Sequence, residues 1–354
     1  MADLGLQQGL RQDRPLPELG LFLNVQHPPE RPAHDVVREI LEHVRVAREC
    51  GFASIWAGQH FLSHPYQMLQ TVPLLARVAA ETGDMTIGTG IALLPLLNPV
   101  EAAEHAATLD AISGGRFVYG VGAGYRAEED RAFGLPKGRR VGAFEAKLAV
   151  VQRLLAGERV SASGDGYELH DAALALVPPV PPPIWIAANS DAAVERAARL
   201  SDAWFVNPHT RLDELERQMA LFDAARAAAG RPVRTVTPIL KEVCVAGSDE
   251  EALACASPYL KAKYEAYVAW GQSDVLPGGD TLRREFDALT AGGRFIIGSP
   301  ESCAAQLRDH IERLGADHIV VRVQWPGMPS EFAVRSIRLL AREVLPALAP
   351  EGTA

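Results

Sequence analysis

The chain has 354 residues, 48% of them apolar and 22% charged, with a formal net charge of -9. That length can bury one large core or two average ones, and the acidic balance excludes a nucleic-acid binder with a dominant basic face. No apolar run reaches the roughly 18 residues a membrane span needs. The opening segment, "MADLGLQQGLRQDRPLPELG", lacks the apolar stretch of an export signal. The four cysteines, Cys50, Cys244, Cys255 and Cys303, form no C-x-x-C pair and no metal-ligand spacing. These features predict a cytoplasmic protein with reduced thiols, no metal, and no nucleic-acid or membrane partner.

After a polar leader over residues 1–18, "LGLFLNVQ" predicts a buried strand that ends in the polar Asn24 and Gln26. "HDVVREILEHVRVARECG" carries Val37, Ile40, Leu41, Val44 and Ala47 at helical spacing and stops at Gly51. Strand "FASIWAG" follows, then helix "MLQTVPLLARVAAETG", strand "MTIGTGIALL", helix "NPVEAAEHAATLDAISGG" and strand "RFVYGVGAG". Beyond residue 182 the alternation resumes with strands "PPIWIAANS", "DAWFVNP", "TVTPILKEVCVAGS" and "ADHIVVRVQWPG", each next to a helical segment. The tally is eight strands, apolar throughout instead of alternating, which indicates a parallel sheet covered by helices. Eight βα units in one chain predict a closed (β/α)8 TIM barrel over residues 19–350. Two segments exceed ordinary connections. Residues 123–183, with "VSASGDGYELHD", predict a hairpin insertion after strand four; residues 271–294 form a long glycine-rich loop before strand eight.

In such a barrel the residues just past the C-terminal strand ends face the active site. "SIWAGQHF" therefore delivers Gln59 and His60 to the mouth, and Asn24, Gly90, Gly122, Asn189, Asn207 and Gln324 hold equivalent places. "GVGAGYR" contains glycines at 120, 122 and 124. It follows strand four and leads into a charged loop, so it is no dinucleotide fingerprint, which opens a helix after the first strand. Such glycines suit a tight turn, or backbone that approaches a flat ring or a phosphate. "AANSDAAVERAA" offers Asn189 or Ser190 as an N-cap, and a helix start with free N–H groups attracts phosphate. Gly88 and Gly90 inside strand three mark either tight packing or a ring lying on the backbone. No nucleophile elbow, zinc pair or P-loop is present, so the chemistry is expected to belong to a bound cofactor.

From about Leu19 to Pro350 the ordered blocks "ARECGFASIWAGQHF", "VPLLARVAAETGDMTIGTGIALLPLLNPVEAAEHAATLDAISGGRFVYGVGAGYRAEEDRAFG", "PPIWIAANSDAAVERAARLSDAW" and "GSPESCAAQLRDHIERLGADHIVV" resemble the bacterial luciferase-like flavin monooxygenases. The resemblance implies a (β/α)8 barrel with a mobile loop before the last strand. It implies reduced FMN delivered by a separate flavin reductase, O2 and a small organic substrate, through a flavin C4a-(hydro)peroxide, and often a homodimer. A sister branch uses the deazaflavin F420 for hydride transfer, and a non-catalytic flavin-binding barrel is a third reading. The ring is expected against strand three at a non-proline cis peptide, Gly90–Ile91. The phosphate is expected on Asn189, Ser190 and the helix start, near Gly122, Gly124 and Tyr125. Luciferases carry Glu-His-His-Phe after strand two, where this chain has Gly58-Gln59-His60-Phe61. The catalytic histidine falls on Gln59 if it is the first of the pair, and on His60 if the second. The F420 branch pattern Asp-His-Phe keeps His60. Ala123 stands where luciferases hold a basic phosphate ligand, which leaves Arg126 and Arg140 as substitutes.

Overall fold

A computed structural model describes residues 16–271 and 293–349. Eight parallel strands close on themselves: β1 (Glu18–Phe22), β2 (Ser54–Ala57), β3 (Thr86–Thr89), β4 (Phe117–Gly122), β5 (Ile184–Ala188), β6 (Ala203–Val206), β7 (Pro238–Val245) and β8 (His318–Arg322). Closure runs through the register pairs Leu21 with Ile55, Trp56 with Gly88, Gly88 with Val118, Trp185 with Gly120, Ile186 with Trp204, Val206 with Ile239, Ile239 with Ile319, and Leu19 with Ile319. The eight strands are those expected from the alternation of apolar runs. Residues 1–15 of the leader and nearly all of the glycine-rich loop, 272–292, lie outside the described residues.

Strand parity divides the core in two. On β1 and its extension, Leu19, Leu21, Leu23 and Val25 face the helical layer, while Phe22 packs inside the barrel. The interior is filled by Phe22, Trp56, Val118, Trp185, Ala203, Phe205, Leu240 and Val320. Trp56 and Trp185 stack with ring centroids 4.9 Å apart. Burying strands on both faces explains why they read as continuous apolar runs.

Local signals set the helices, of which the first two are α1 (Ala33–Glu49) and α2 (Thr71–Val78). Asn98 caps α3 (Pro99–Ser113) by accepting the Val100 N–H at 2.9 Å. Gly114 ends it in the left-handed region at φ 67°, where only glycine pays no steric penalty. The insertion after β4 contains the expected hairpin, Val160–Gly164 with Tyr167–Ala172, together with α4 (Ala127–Ala132) and α5 (Arg140–Leu155). Two short strands were not expected: Gln67–Met68, read as the start of a helix, pairs antiparallel with Gln26–His27, and Phe295–Gly298 pairs in parallel with the outer end of β7. The four residues of the latter, "FIIG", follow a glycine-rich segment and are too short to show a period. Among the described residues no helix is long and apolar enough to cross a membrane, and all four cysteines are free.

Candidate active site

A cavity of about 600 Å³ opens at the C-terminal ends of the strands, within the roughly 300–1,000 Å³ of small-molecule sites. Every barrel strand or its exit contributes to the wall, and His60, Gln59, Gly90, Ile91, Gly124, Tyr125, Asn189 and Ser190 all belong to it. The single rim inferred from strand ends therefore exists.

His60 is held from behind. Its Nδ1 lies 3.0 Å from Glu129 Oε1, and an ionised carboxylate only accepts, so Nδ1 carries the proton. In the neutral ring Nε2 is then an acceptor on a side chain that lines the cavity. Glu129 also accepts the Phe61 N–H at 2.9 Å and faces Arg126 Nη1 at 3.4 Å. Burial pushes the Glu129 carboxyl up, but the bond and charge of His60, the Phe61 amide and Arg126 outweigh it and bring the carboxyl below its ordinary range. Acidic side chains on helices default to solvated faces, yet this one is buried to 1% exposure. Tyr125 packs edge-on against His60 with centroids 5.7 Å apart. Burial pushes its phenol well above the usual range, so it stays a neutral hydroxyl.

Several expected ligands have other work. Gln59 Oε1 accepts the Leu93 N–H at 3.0 Å, tying the exit of β2 to the segment after β3. Gly122 is not in the cavity wall; a Cβ there would collide with the Ile91 side chain. Gly88 makes room for the Trp56 indole, since a Cβ would sit 2.5 Å from its Cε3. Gly90 does face the cavity, and a Cβ there would meet Phe22 at 2.6 Å. The Gly90–Ile91 peptide is cis, as the resemblance implied. Gln324 turns away from the mouth and donates to Glu39 Oε1 at 2.7 Å and the Met328 carbonyl at 3.1 Å. Arg126 is no rim cation: it donates to the Phe61 and Leu62 carbonyls at 2.5 and 3.1 Å and stacks on Trp270 at 4.4 Å.

The rim around residue 190 is different. Ser190 is the N-cap of α6 (Asp191–Leu200), but its side chain makes no capping bond. Ala192, Ala193 and Arg196 line the cavity with it, because positions three and four apart share a helix face. Arg196 donates to Glu145 at 2.6 Å, and Arg140, also in the wall, pairs with Asp130. The sequence reading missed Arg196. The i, i+3, i+4 spacing from Ala192 and Ala193 was the signal available.

Behind the wall residues His209, Tyr267 and Arg322 lies a buried ionic cluster. Glu242, inside β7, accepts from Lys263, from Arg322 Nη1 at 3.3 Å and from Trp325 Nε1 at 2.5 Å. Burial alone would raise its carboxyl, but Lys263 and Arg322 bring it down to about 2. Burial pulls the Lys263 ammonium down to about 7. His209 bonds Tyr264 at 2.8 Å, and burial drives its imidazole down to about 3, so the ring is neutral.

A parallel barrel with a cavity ringed by titratable groups at its C-terminal mouth is the architecture of a barrel enzyme. The chain belongs to the luciferase-like monooxygenase family, whose profile matches residues 18–318. It is 30% identical over 342 residues to 4-hydroxyprotoasukamycin monooxygenase of Streptomyces nodosus subsp. asukaensis, covering 92% of this chain and 91% of that one. Among solved structures it superposes on monooxygenase RslO1 of Streptomyces bottropensis with a TM-score of 0.80 and 25% identity, over 93% and 99% of the two chains. The fold is shared with the FMN complex of the oxygenating constituent of 3,6-diketocamphane monooxygenase from Pseudomonas putida. That match has a TM-score of 0.74 and 19% identity, over 94% and 99% of the chains. It is shared equally with an F420-dependent secondary alcohol dehydrogenase, at a TM-score of 0.76 and 19% identity over 94% and 99%. The protein is thus an oxidoreductase of a family that contains both FMN monooxygenases and F420-dependent enzymes.

Proposed function

We propose that the protein is a monooxygenase that takes reduced FMN from a separate reductase and uses O2 to oxygenate a small organic substrate. The observation that carries the choice of FMN is the charge at the rim. Among the described residues the cations near Ser190 are Arg140 and Arg196, each matched by a carboxylate, Asp130 and Glu145. Such a rim suits one compact phosphate at a helix start and offers little to the longer acidic tail of F420.

The residues present fit the cofactor. The Ser190 hydroxyl, which makes no capping bond, the first turn of α6, Arg196 and Arg140 would hold the phosphate. Tyr125, whose buried hydroxyl has no hydrogen-bond partner among the described residues, supplies a donor or acceptor beside it. Phe22, Ile91, Phe205 and Leu240 give the ring an apolar seat. When bound, reduced flavin supplies the electrons that activate O2. The protein's share is to exclude water and manage a proton. Glu129 fixes the His60 tautomer, so Nε2 can take a proton from the reacting groups and return it. Gln59 holds the β2 and β3 exits at a fixed spacing, so we place it in support and not in proton transfer.

Anaerobic titration with reduced FMN and with reduced F420, each followed by mixing with O2, tests this reading. Tight binding of reduced FMN and O2 consumption are expected. Binding of F420 alone, with no O2 consumed, would refute it.

A further inference from the structure

A second cavity, of about 250 Å³, lies behind the β3 exit, against helices α2 and α3. Among the described residues Gln59 is the one that belongs to both cavity walls. The chain leaving β3 parts the two: Gly90, Ile91 and Leu93 line the first cavity, Thr89 and Ala92 the second. Gln59 Oε1 is held by the Leu93 N–H, and the rest of its amide makes no hydrogen bond among the described residues. One side chain, tethered at one point, is thus what the two cavities share. The space exists because Ala92, Ala102 and Ala106 are buried where larger apolar side chains would fill it. Protein interiors are otherwise close-packed, and an unfilled void costs stability.

The lining decides what such a space holds. The Thr71 and Thr89 hydroxyls donate to the Gly58 and Gly120 carbonyls at 2.6 and 2.7 Å, and Gln70 Nε2 donates to the His60 carbonyl at 3.1 Å. Their polar atoms are spent on backbone, and Leu97, Leu109 and Phe117 join the alanines in the wall. Burial pushes the Tyr119 phenol up, so it stays a neutral hydroxyl, and one hydroxyl offers too few partners to hold ordered water. Glu101, with His105 one turn on, marks the outer end together with the exposed Pro73 and Phe133. A space that is apolar inside takes small apolar molecules, and O2 is one that the proposed reaction consumes. Resting on the flavin reading, we infer that this cavity carries O2 to the flavin, past Gln59. A flavin with its ring on Gly90–Ile91 and its phosphate at Ser190 closes the barrel mouth, whereas the second cavity meets the same strand exit from the side. O2 arriving through an apolar lining leaves water behind, which keeps the reacting centre dry.

Crystals of the full-length protein with FMN, pressurised with xenon, test the cavity, and stopped-flow oxidation of the protein loaded with reduced FMN tests the route. Xenon should settle beside Ala102 and Ala106. The oxidation rate should rise linearly with O2 concentration. Its slope should fall by about fivefold or more in Ala106→Leu, because the added methylenes occupy the path and must be displaced. FMN affinity in that variant should shift less than about twofold, since residue 106 does not line the flavin cavity. Ala102→Leu narrows the same space and stands as the test where Ala106→Leu fails to fold. Absence of xenon from the cavity, or an unchanged slope in a folded variant that binds FMN, would overturn the route and leave the flavin reading in place. Failure of the wild type to bind reduced FMN would remove the flavin reading and the oxygen route together.

Discussion

Replacing Arg196 by glutamine probes the rim where the phosphate is proposed to sit. Arg196 reaches the cavity from the second turn of α6, on the face it shares with Ala192 and Ala193. Its side chain is 15% exposed and its Nε is already bonded to Glu145 at 2.6 Å. A charge-assisted hydrogen bond contributes roughly 1.5–3 kcal/mol. Competition from the half-exposed Glu145 places the expected loss near the lower end, about 1.5 kcal/mol, or about tenfold in Kd. Flavin fluorescence titrated with wild type and Arg196→Gln, using FMN and riboflavin in parallel, isolates the phosphate. FMN should weaken about tenfold while riboflavin, which lacks the phosphate, changes by less than about twofold. Equal weakening of both flavins would show that Arg196 shapes the cavity without touching phosphate. No weakening of either would remove the residue, and the rim reasoning with it.

His60→Ala should lower turnover, followed as O2 uptake with reduced flavin in excess, by about 10²–10⁴-fold while FMN affinity shifts less than about threefold; unchanged turnover would take the imidazole out of the mechanism. Glu129→Ala removes one of the two carboxylates on the buried Arg126, which keeps Glu128 at 3.1 Å, and leaves the Phe61 N–H without its acceptor; urea denaturation should show a loss of about 1–3 kcal/mol, whereas no loss would mean that the carboxylate is solvated. Gly88→Ala drives a methyl into the Trp56 ring, which is already stacked on Trp185, and should cost about 1–3 kcal/mol in the same assay. Glu242 is depressed from 4.5 to about 2 in the folded chain. Its contribution to stability is therefore complete above pH 4.5 and lost as pH falls toward 2. Glu242→Gln should flatten the acid limb of a stability–pH profile over that window, and an unchanged limb would contradict the assignment.

The barrel was legible because strands buried on both faces must be apolar along their whole length, and eight such runs separated by helices leave few topologies. The rim was legible for a related reason: Asn24, His60, Asn189 and Asn207 interrupt apolar runs at the same end. What the sequence hid was direction and partnership. For Gly88, Gly120 and Gly122 the sequence left ligand approach and tight packing or turning both open, and their missing Cβ atoms make way for Trp56, the Thr89 carbonyl and Ile91. Arg126 and Gln324 sit at the right positions but are taken up by nearby carbonyls and carboxylates. Glu242 lay inside an apolar strand, "PILKEVCV", where an adjacent Lys–Glu pair was the sign of a buried charge. Its partners Lys263 and Trp325 come from segments far away in the chain, which no local pattern connects.

Where the flavin sits is measured most directly by determining the structure of the protein crystallised with FMN. The phosphate should lie within hydrogen-bonding distance of the Ser190 hydroxyl and the Arg196 guanidinium, with the ring against Gly90–Ile91 and His60 at its edge. A phosphate on the Arg322 side of the cavity, or a flavin outside the barrel mouth, would contradict this placement.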